Sequence, residues 1–461
     1  MVAQSVAGER EQLSFDFLPD RPVVVQQHHG QLSSDAGLLP IRQFDQRWRY
    51  TDRLAACLHD PKPADRIHTL IAMLRQRLFG ILAGYEDCND HDTLRDDPVF
   101  KLVAGRLPDD DPLASQPTLS RFENLATPQV LQDIIDFLIA TGVERLKQTH
   151  GGVLPASVTL DLDATDDPTH GNQQLTLFHG YYGQYQYFPL IISEPTTKHV
   201  FLAWLRPGTV HASLGADDDL MRVVNALRRE RPDIAIHVRG DAGFGNPRLY
   251  EVCEQNGLTC TFGFATNPRL KKLTEDLMTR AVEQHGRTKE KARLFDCFYY
   301  QCEGWPHPRT VIAKAECHDG GANLRFVVTN RPGVGVTSPA ADGEREYDDY
   351  IRRGESEHRM DELKNGLHVD GLSCHRFMAN FFRLLLHTAA FNLLNALRDD
   401  PALPPVLRVG QPCTWRTHLI KVAAEVVRRT RRVIVRLAAQ WPWWPMYQAV
   451  AGRALAFPSS A

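Results

Sequence analysis

Along the first third of the chain, apolar residues recur every three or four positions. In "RIHTLIAMLRQRLFGIL" they are Ile67, Leu70, Ile71, Leu74, Leu78 and Ile81, and "QVLQDIIDFLIATGVERL" repeats the pattern. That period predicts amphipathic helices, so residues 1–150 read as a helical unit. Between the two runs, "SQPTLSRFEN" opens on Ser/Thr-Pro signals and predicts a short helix carrying Arg121. At Gly151-Gly152 the period changes. "VLPASVTLDLDAT" alternates and is rich in strand formers, and "YQYFPLIIS" and "KHVFLAWLR" predict two more strands. A helix ("DDDLMRVVNALRRERP"), a strand ("DIAIHVRGDAGFG"), a helix ("PRLYEVCEQNG") and a strand ("LTCTFGFA") follow. The order β-β-β-α-β-α-β predicts a mixed α/β sheet over residues 151–265.

Strand-like pieces "RLFDCFYYQCEGW", "RTVIAKAECHD" and "LRFVVTN" fill residues 266–345, which read as a β-rich insertion because helical pattern resumes only near Tyr347. Residues 346–400 are then the second part of the core. Their most apolar stretch, "FFRLLLHTAAFNLLNAL", is interrupted by Arg383 and His387 and predicts a buried helix, with no membrane span. In residues 401–461, "HLIKVAAEVVRRTRRVIVRLAAQWPWW" reads as an amphipathic helix. Lys421, Glu425, Arg428, Arg432 and Arg436 line one side of it, and Val422, Val426, Val433 and Leu437 face away. "WPWWP" reads as a packing plug.

Composition changes this picture in two places. Net charge is −3, but from Pro401 onward nine Lys/Arg face the single acid Glu425. A basic tail on an acidic body points to a polyanionic partner. The nine cysteines are scattered and form no CxxC pair, which suits a reducing compartment. Cys297, Cys302, His307, Cys317 and His318 match no zinc-module spacing and read as strand thiols. The N-terminus "MVAQSVAGEREQ" shows no signal-peptide core.

Candidate chemistry lies in the acids. Asp163 ends the first core strand, Asp241 ends the fourth, and Glu357 lies on the late helix. Acids at neighbouring strand ends converge on one sheet edge, where a divalent cation offsets their repulsion. Such an arrangement suits two-metal phosphoryl transfer. Asp161 and Asp163 share a face by period two, so the pattern alone leaves the choice between them open. In "YIRRGESEHRMDELK", Tyr350, Arg353, Glu357, Asp361 and Lys364 fall within an arc of roughly 80° on a regular helix. That face is either solvated or built to hold a metal and a phosphate.

Tyr350-x2-Arg353-x3-Glu357-x6-Lys364 resembles, without a gap, the signature of bacterial insertion-sequence transposases of the DDE class. Asp163 in Asp-x-Thr and Asp241 in Asp-x-Gly-Phe look like their first and second catalytic acids. "GYEDCNDHDTLRDDPVF", "LASQPTLSRFEN", "DPTHGNQQ" and "RGDAGFG" are similar to the group called transposase DDE domain group 1, from about Leu13 to Val450.

The resemblance implies an RNase H-like core, interrupted by the β insertion and flanked by a helical DNA-binding N-terminal domain and a basic helical C-terminal region. It also implies cut-and-paste DNA transposition in the bacterial cytoplasm, at the nucleoid. Asp163, Asp241 and Glu357 would hold two Mg2+ ions, with Mn2+ an acceptable substitute. Tyr350, Arg353 and Lys364 would hold phosphates of the transposon end, and Arg428, Arg432 and Arg436 further DNA. Trp305 would stack on a flipped base. The implied partners are inverted-repeat ends, target DNA and a second copy of the chain. The rival readings are a nuclease of the same fold without strand transfer and a domesticated DNA-binding protein.

Overall fold

The strand-forming runs after Gly152 build one twisted eight-stranded sheet. Its strands are β1 (Ser157–Ala164), β2 (Leu190–Ser193), β3 (Val200–Trp204), β4 (Ala235–Gly240), β5 (Thr259–Phe264), β6 (Ala292–Tyr300), β7 (Arg309–His318) and β8 (Gly321–Thr329). This computed structural model describes residues 12–15, 17, 21, 23–26, 30–59 and 67–458. The segment read as lacking a signal-peptide core, residues 1–11, lies outside the described residues. The strand order is β6-β7-β8-β5-β4-β1-β2-β3. β1, β4 and β5 run parallel, and the remaining neighbours are antiparallel. The β-rich stretch therefore extends the core sheet through the β5–β8 pairing. Two helices, Pro268–Leu273 and Glu275–Thr288, precede its strands, and the second packs against β6 and β7.

"YQYFPLIIS" is not one strand. Pro189 has no N–H for a ladder and fixes its own φ. The chain breaks there, so that Gln184–Tyr187 pairs with Asp167–Pro168 and Leu177–His179 in a separate three-stranded sheet.

Helices cover the β3 end of the sheet. Pro128–Thr149 starts with Thr127 accepting the Val130 N–H, and it packs on β3. Gly142 makes that approach possible, because a Cβ there would lie 2.6 Å from the Phe201 ring. Leu70–Ala83 starts after the Thr69 cap, which leaves Ile67 outside the helix and 84% exposed. Both helices pack on Phe377–Arg398. That helix is long and apolar enough to cross a membrane, yet it is buried inside the protein. Each Leu or Phe it buries contributes about 1.5–3 kcal/mol.

One ionic centre ties these helices together. Glu123, fully buried, accepts from Arg77 Nε at 2.9 Å and from Arg383 Nη2 at 2.8 Å. The Cys88 and Cys374 thiols also point at its carboxylate, at 3.3 and 3.4 Å. Burial alone would push this carboxyl up, but the two guanidiniums outweigh it and hold the pKa down at about 2.

The expected basic C-terminal helix is a β-hairpin. Ala424–Arg429 and Arg432–Leu437 pair antiparallel, and the first strand also pairs with Leu32–Ser33. Val426, Val427, Val433, Ile434 and Val435 are β-branched and favour a pleated surface over a helix. The longest helix of this region comes later, at Trp444–Ala456.

Candidate active site at the strand ends

The parallel register of β1 and β4 sets Arg239 opposite Asp161 and Gly240 opposite Leu162. Asp163 and the residue after β4, Asp241, therefore stand level at the carboxyl ends of adjacent strands, about 4.8 Å apart in backbone spacing. Period two puts Asp161, Asp163, Arg239 and Asp241 on one face in two tiers.

The inner tier is saturated. Asp161 accepts from Arg239 Nε at 2.7 Å and Nη2 at 3.1 Å, and from Arg359 Nη2 at 2.7 Å. All three side chains are buried. Arg359 also donates to Ser193 Oγ at 3.2 Å, and Arg239 to the Asp349 carbonyl at 2.7 Å. Two strands and the late helices are thus pinned to one carboxylate.

The outer tier is not saturated. Burial pushes the Asp163 carboxyl up to about 6, against the pulls of the Ser356 hydroxyl and the Arg353 guanidinium. Arg353 Nη1 donates to Asp163 Oδ1 at 3.2 Å and Nη2 donates to Glu357 Oε1 at 3.1 Å, so one guanidinium bridges two of the three acids. Its Nε lies 3.4 Å from the Tyr350 hydroxyl. The Asp241 carboxylate accepts the Gly243 N–H at 2.8 Å. Gly263 on β5 keeps this corner open: a Cβ would lie 2.6 Å from Ala242 N and 2.9 Å from Tyr350 Oη. The Glu357 side chain is 68% exposed.

The segment from Tyr350 to Lys364 is not a regular helix, and the shared arc does not survive. Pro339–Ile351 ends in a tight turn, in which Arg352, Arg353, Glu355 and Ser356 N–H groups all donate three residues back. Gly354–Asp361 follows, and Glu362–Gly366 is a wide π turn. Tight and wide turns shift the angle per residue away from 100°. Tyr350, Arg353 and Glu357 stay together, whereas Lys364 turns to Asp166 at 2.8 Å and Asp361 accepts from Asn365.

Two further expectations are corrected. Trp305 is only 7% exposed, walled by Tyr250 and Phe264 at 5.5 Å between ring centroids and covered by Arg309 at 5.1 Å, so no face is free for a base. Arg428, Arg432 and Arg436 do not line one helix side. In the hairpin, Arg432 and Arg436 share a face opposite Arg429 and Glu425, and Arg428 lies on the other face, paired with Asp109 at 2.5 Å. Arg436 pairs with Glu425 at 3.0 Å.

Sequence reasoning missed Arg239, Arg359, Gly263 and Asp166. Arg239 was readable by the same period-two argument that paired Asp161 with Asp163. The other three required knowing which elements meet. Among the described residues, no group of three His, Cys, Asp or Glu stands close enough to hold a metal.

Two acids at the ends of adjacent parallel strands, with a third on a helix beside them, form the arrangement that the sequence resemblance implies. The sequence match gives the family. Residues 15–456 match Transposase DDE domain group 1, and the chain belongs to that family. Among solved structures it is similar to a piggyBac transposase synaptic complex with hairpin DNA, seen by cryo-EM. That likeness has a TM-score of 0.40 and 11% identity, over 79% of this chain and 75% of that one. No curated protein matches the chain.

Proposed function

We propose that the protein carries out cut-and-paste transposition of an insertion sequence, cleaving DNA at inverted-repeat ends and joining the freed 3′ ends to a target. One observation carries this reading: Asp163 and Asp241 stand level on adjacent strands, and Arg353 joins Asp163 to Glu357. The β3-β2-β1-β4-β5 order, with β1, β4 and β5 parallel, supports an RNase H-like core.

The donor chemistry suits a divalent cation, once Arg353 releases Glu357 and the three acids draw closer than they stand here. Three carboxylates supply hard oxygens, the chemistry Mg2+ or Mn2+ selects, and two of them already share a cation in Arg353. Asp163, Asp241 and Glu357 would hold the ions, two per site. Bound there, the metal supplies charge stabilisation for phosphoryl transfer and lowers the pKa of water. The chain's own groups do the rest. Arg353 and Lys364 sit on carboxylates in the free protein and are placed to exchange them for backbone phosphates, Arg353 through its fork and Lys364 as a point charge. The exposed hairpin arginines Arg429, Arg431 and Arg432 add positive charge for flanking DNA. A homodimer would hold both ends, in the cytoplasm at the nucleoid.

The test is incubation of the protein with DNA flanking its own gene, with and without Mg2+, followed by mapping of cut and joined ends. Cleavage at the termini with joined products is expected. Cleavage without joining would leave a nuclease, and binding without cleavage a DNA-binding protein.

A further inference from the structure

We propose that the aromatic β-hairpin over residues 177–187 is a base-stacking platform for unpaired nucleotides at the cleaved DNA end. The inference rests on the transposase reading above. Leu177–His179 and Gln184–Tyr187 pair antiparallel around the turn Gly180–Gly183, where Gly183 has φ +68°. Phe178 stands opposite Tyr185, their rings edge-to-face at 5.5 Å, and both are exposed. Tyr181 at the tip is 87% exposed. Three aromatic rings exposed on one hairpin are the kind of apolar surface that marks a binding site.

The hairpin is anchored to the acids' neighbourhood by its other face. Gln184 Nε2 donates to Asp166 at 3.1 Å, and that same carboxylate accepts from Lys364 at 2.8 Å. Tyr182 rests on His179 and Phe188, with ring centroids at 5.0 and 6.0 Å. Tyr187, on the same face as Tyr185 but buried at the base of the hairpin, donates to the Gln174 carbonyl at 2.7 Å. The aromatic face is thus held one carboxylate away from a side chain placed to hold the DNA backbone.

Charge identifies the occupant. From Thr165 to Tyr187 there is no Lys or Arg, while Asp166 and Asp167 are present. Such a surface does not attract phosphates. It offers neutral π faces, and every base has a π face once it leaves the helix stack. Bases unstack where a strand end must bend into an active site, and the hairpin is tied to Asp166, three residues beyond Asp163. With Trp305 buried, this hairpin offers exposed aromatic rings close to Asp166 instead.

The experiment uses the full chain with Mg2+ and two duplexes carrying the element's own end. One is fully paired, and the other is mismatched at the positions flanking the cut. Tyr181→Ala and the double variant Phe178→Ala/Tyr185→Ala should cut the paired duplex about tenfold or more slowly. On the mismatched duplex they should recover to within about threefold of the wild type, because opening no longer has to be driven by stacking. Tyr181→Phe should behave as wild type. Variants that cut both duplexes at the wild-type rate overturn the proposal. So does an equal loss on both, which would make the hairpin a plain docking surface. Alanine variants that elute from gel filtration at a smaller mass than the wild type, without DNA, would make it a contact between copies. A wild type that cuts neither duplex overturns the transposase reading, and this inference with it.

Discussion

Two buried carboxylates in this molecule live among arginines with opposite results. Glu123 has two guanidiniums and two thiols on its oxygens, and its pKa is held at about 2. Asp163 has one guanidinium, which it shares with Glu357, and its pKa is pushed up to about 6. Both are desolvated; the number of cations per acid differs. The saturated centre joins the N-terminal helices to Phe377–Arg398 and holds the fold. The under-compensated one sits at an open strand end, where its charged form gains from an added cation. Asp161 repeats the contrast two residues away, for its two arginines leave it no free oxygen to offer. Counting cations around a buried acid therefore separates a saturated carboxylate from an under-compensated one more sharply than counting acids does.

The contrast breaks most visibly in activity. Asp163→Asn, Asp241→Asn and Glu357→Gln should each slow end cleavage by about a thousandfold or more, since metal stabilisation of the transferring phosphoryl group is worth several kcal/mol. End binding in gel shifts should stay within about threefold. Full activity in any of the three would remove that acid from the site.

At the other centre the effect is on folding. Glu123→Gln leaves Arg77 and Arg383 buried with their shared partner's negative charge gone, and should cost about 3–5 kcal/mol in urea unfolding. The folded pKa of Glu123 lies below the ordinary glutamate value of 4.5, so its contribution is present above about pH 4.5 and lost as pH falls toward about 2. Unfolding curves of the variant should lack that acid-side loss.

Arg353→Lys keeps the charge and loses the fork that spans Asp163 and Glu357. Cleavage should fall about tenfold to a hundredfold, with Mg2+ affinity little changed. A wild-type rate would make the bridge a surface ion pair.

Stability of Asp163→Asn should move opposite to that of Glu123→Gln. The folded pKa of Asp163 is raised above the ordinary aspartate value of 3.8, so the native state binds the proton more tightly. Its contribution is full below about pH 4 and lost as pH rises through about 6. An asparagine cannot ionise, so at pH 7 the variant should be more stable by about 1–2 kcal/mol. A variant less stable than wild type at pH 7 would mean that the Arg353 contact outweighs the desolvation.

The smallest effect lies in the hairpin. Arg429→Ala and Arg432→Ala should each flatten the salt dependence of DNA binding by about one charge. Arg428→Ala should change it less, because Asp109 already opposes that charge.

Much of the core was legible in the chain because period is a local property. Alternation in "VTLDLDA" and the 3.6 spacing in "DDDLMRVVNALRRE" correspond to Ser157–Ala164 and Ala216–Glu230. Placing acids at two strand ends and on a late helix needed no more than those patterns and the signature spacing. What the sequence alone left undecided depends on contacts between distant segments. Arginines every fourth residue fit a helix side, but pairing with Leu32–Ser33, nearly four hundred positions away, selects a hairpin. Asp161 and Asp163 are equivalent by alternation, and Arg239 and Arg359 arriving from other elements distinguish them. Trp305 reads as an exposed insertion residue until Tyr250, Phe264 and Arg309 close over it. Periodicity determines which way a side chain points along its own element; burial and charge pairing are decided by the elements packed against it, so only the tertiary structure could assign them.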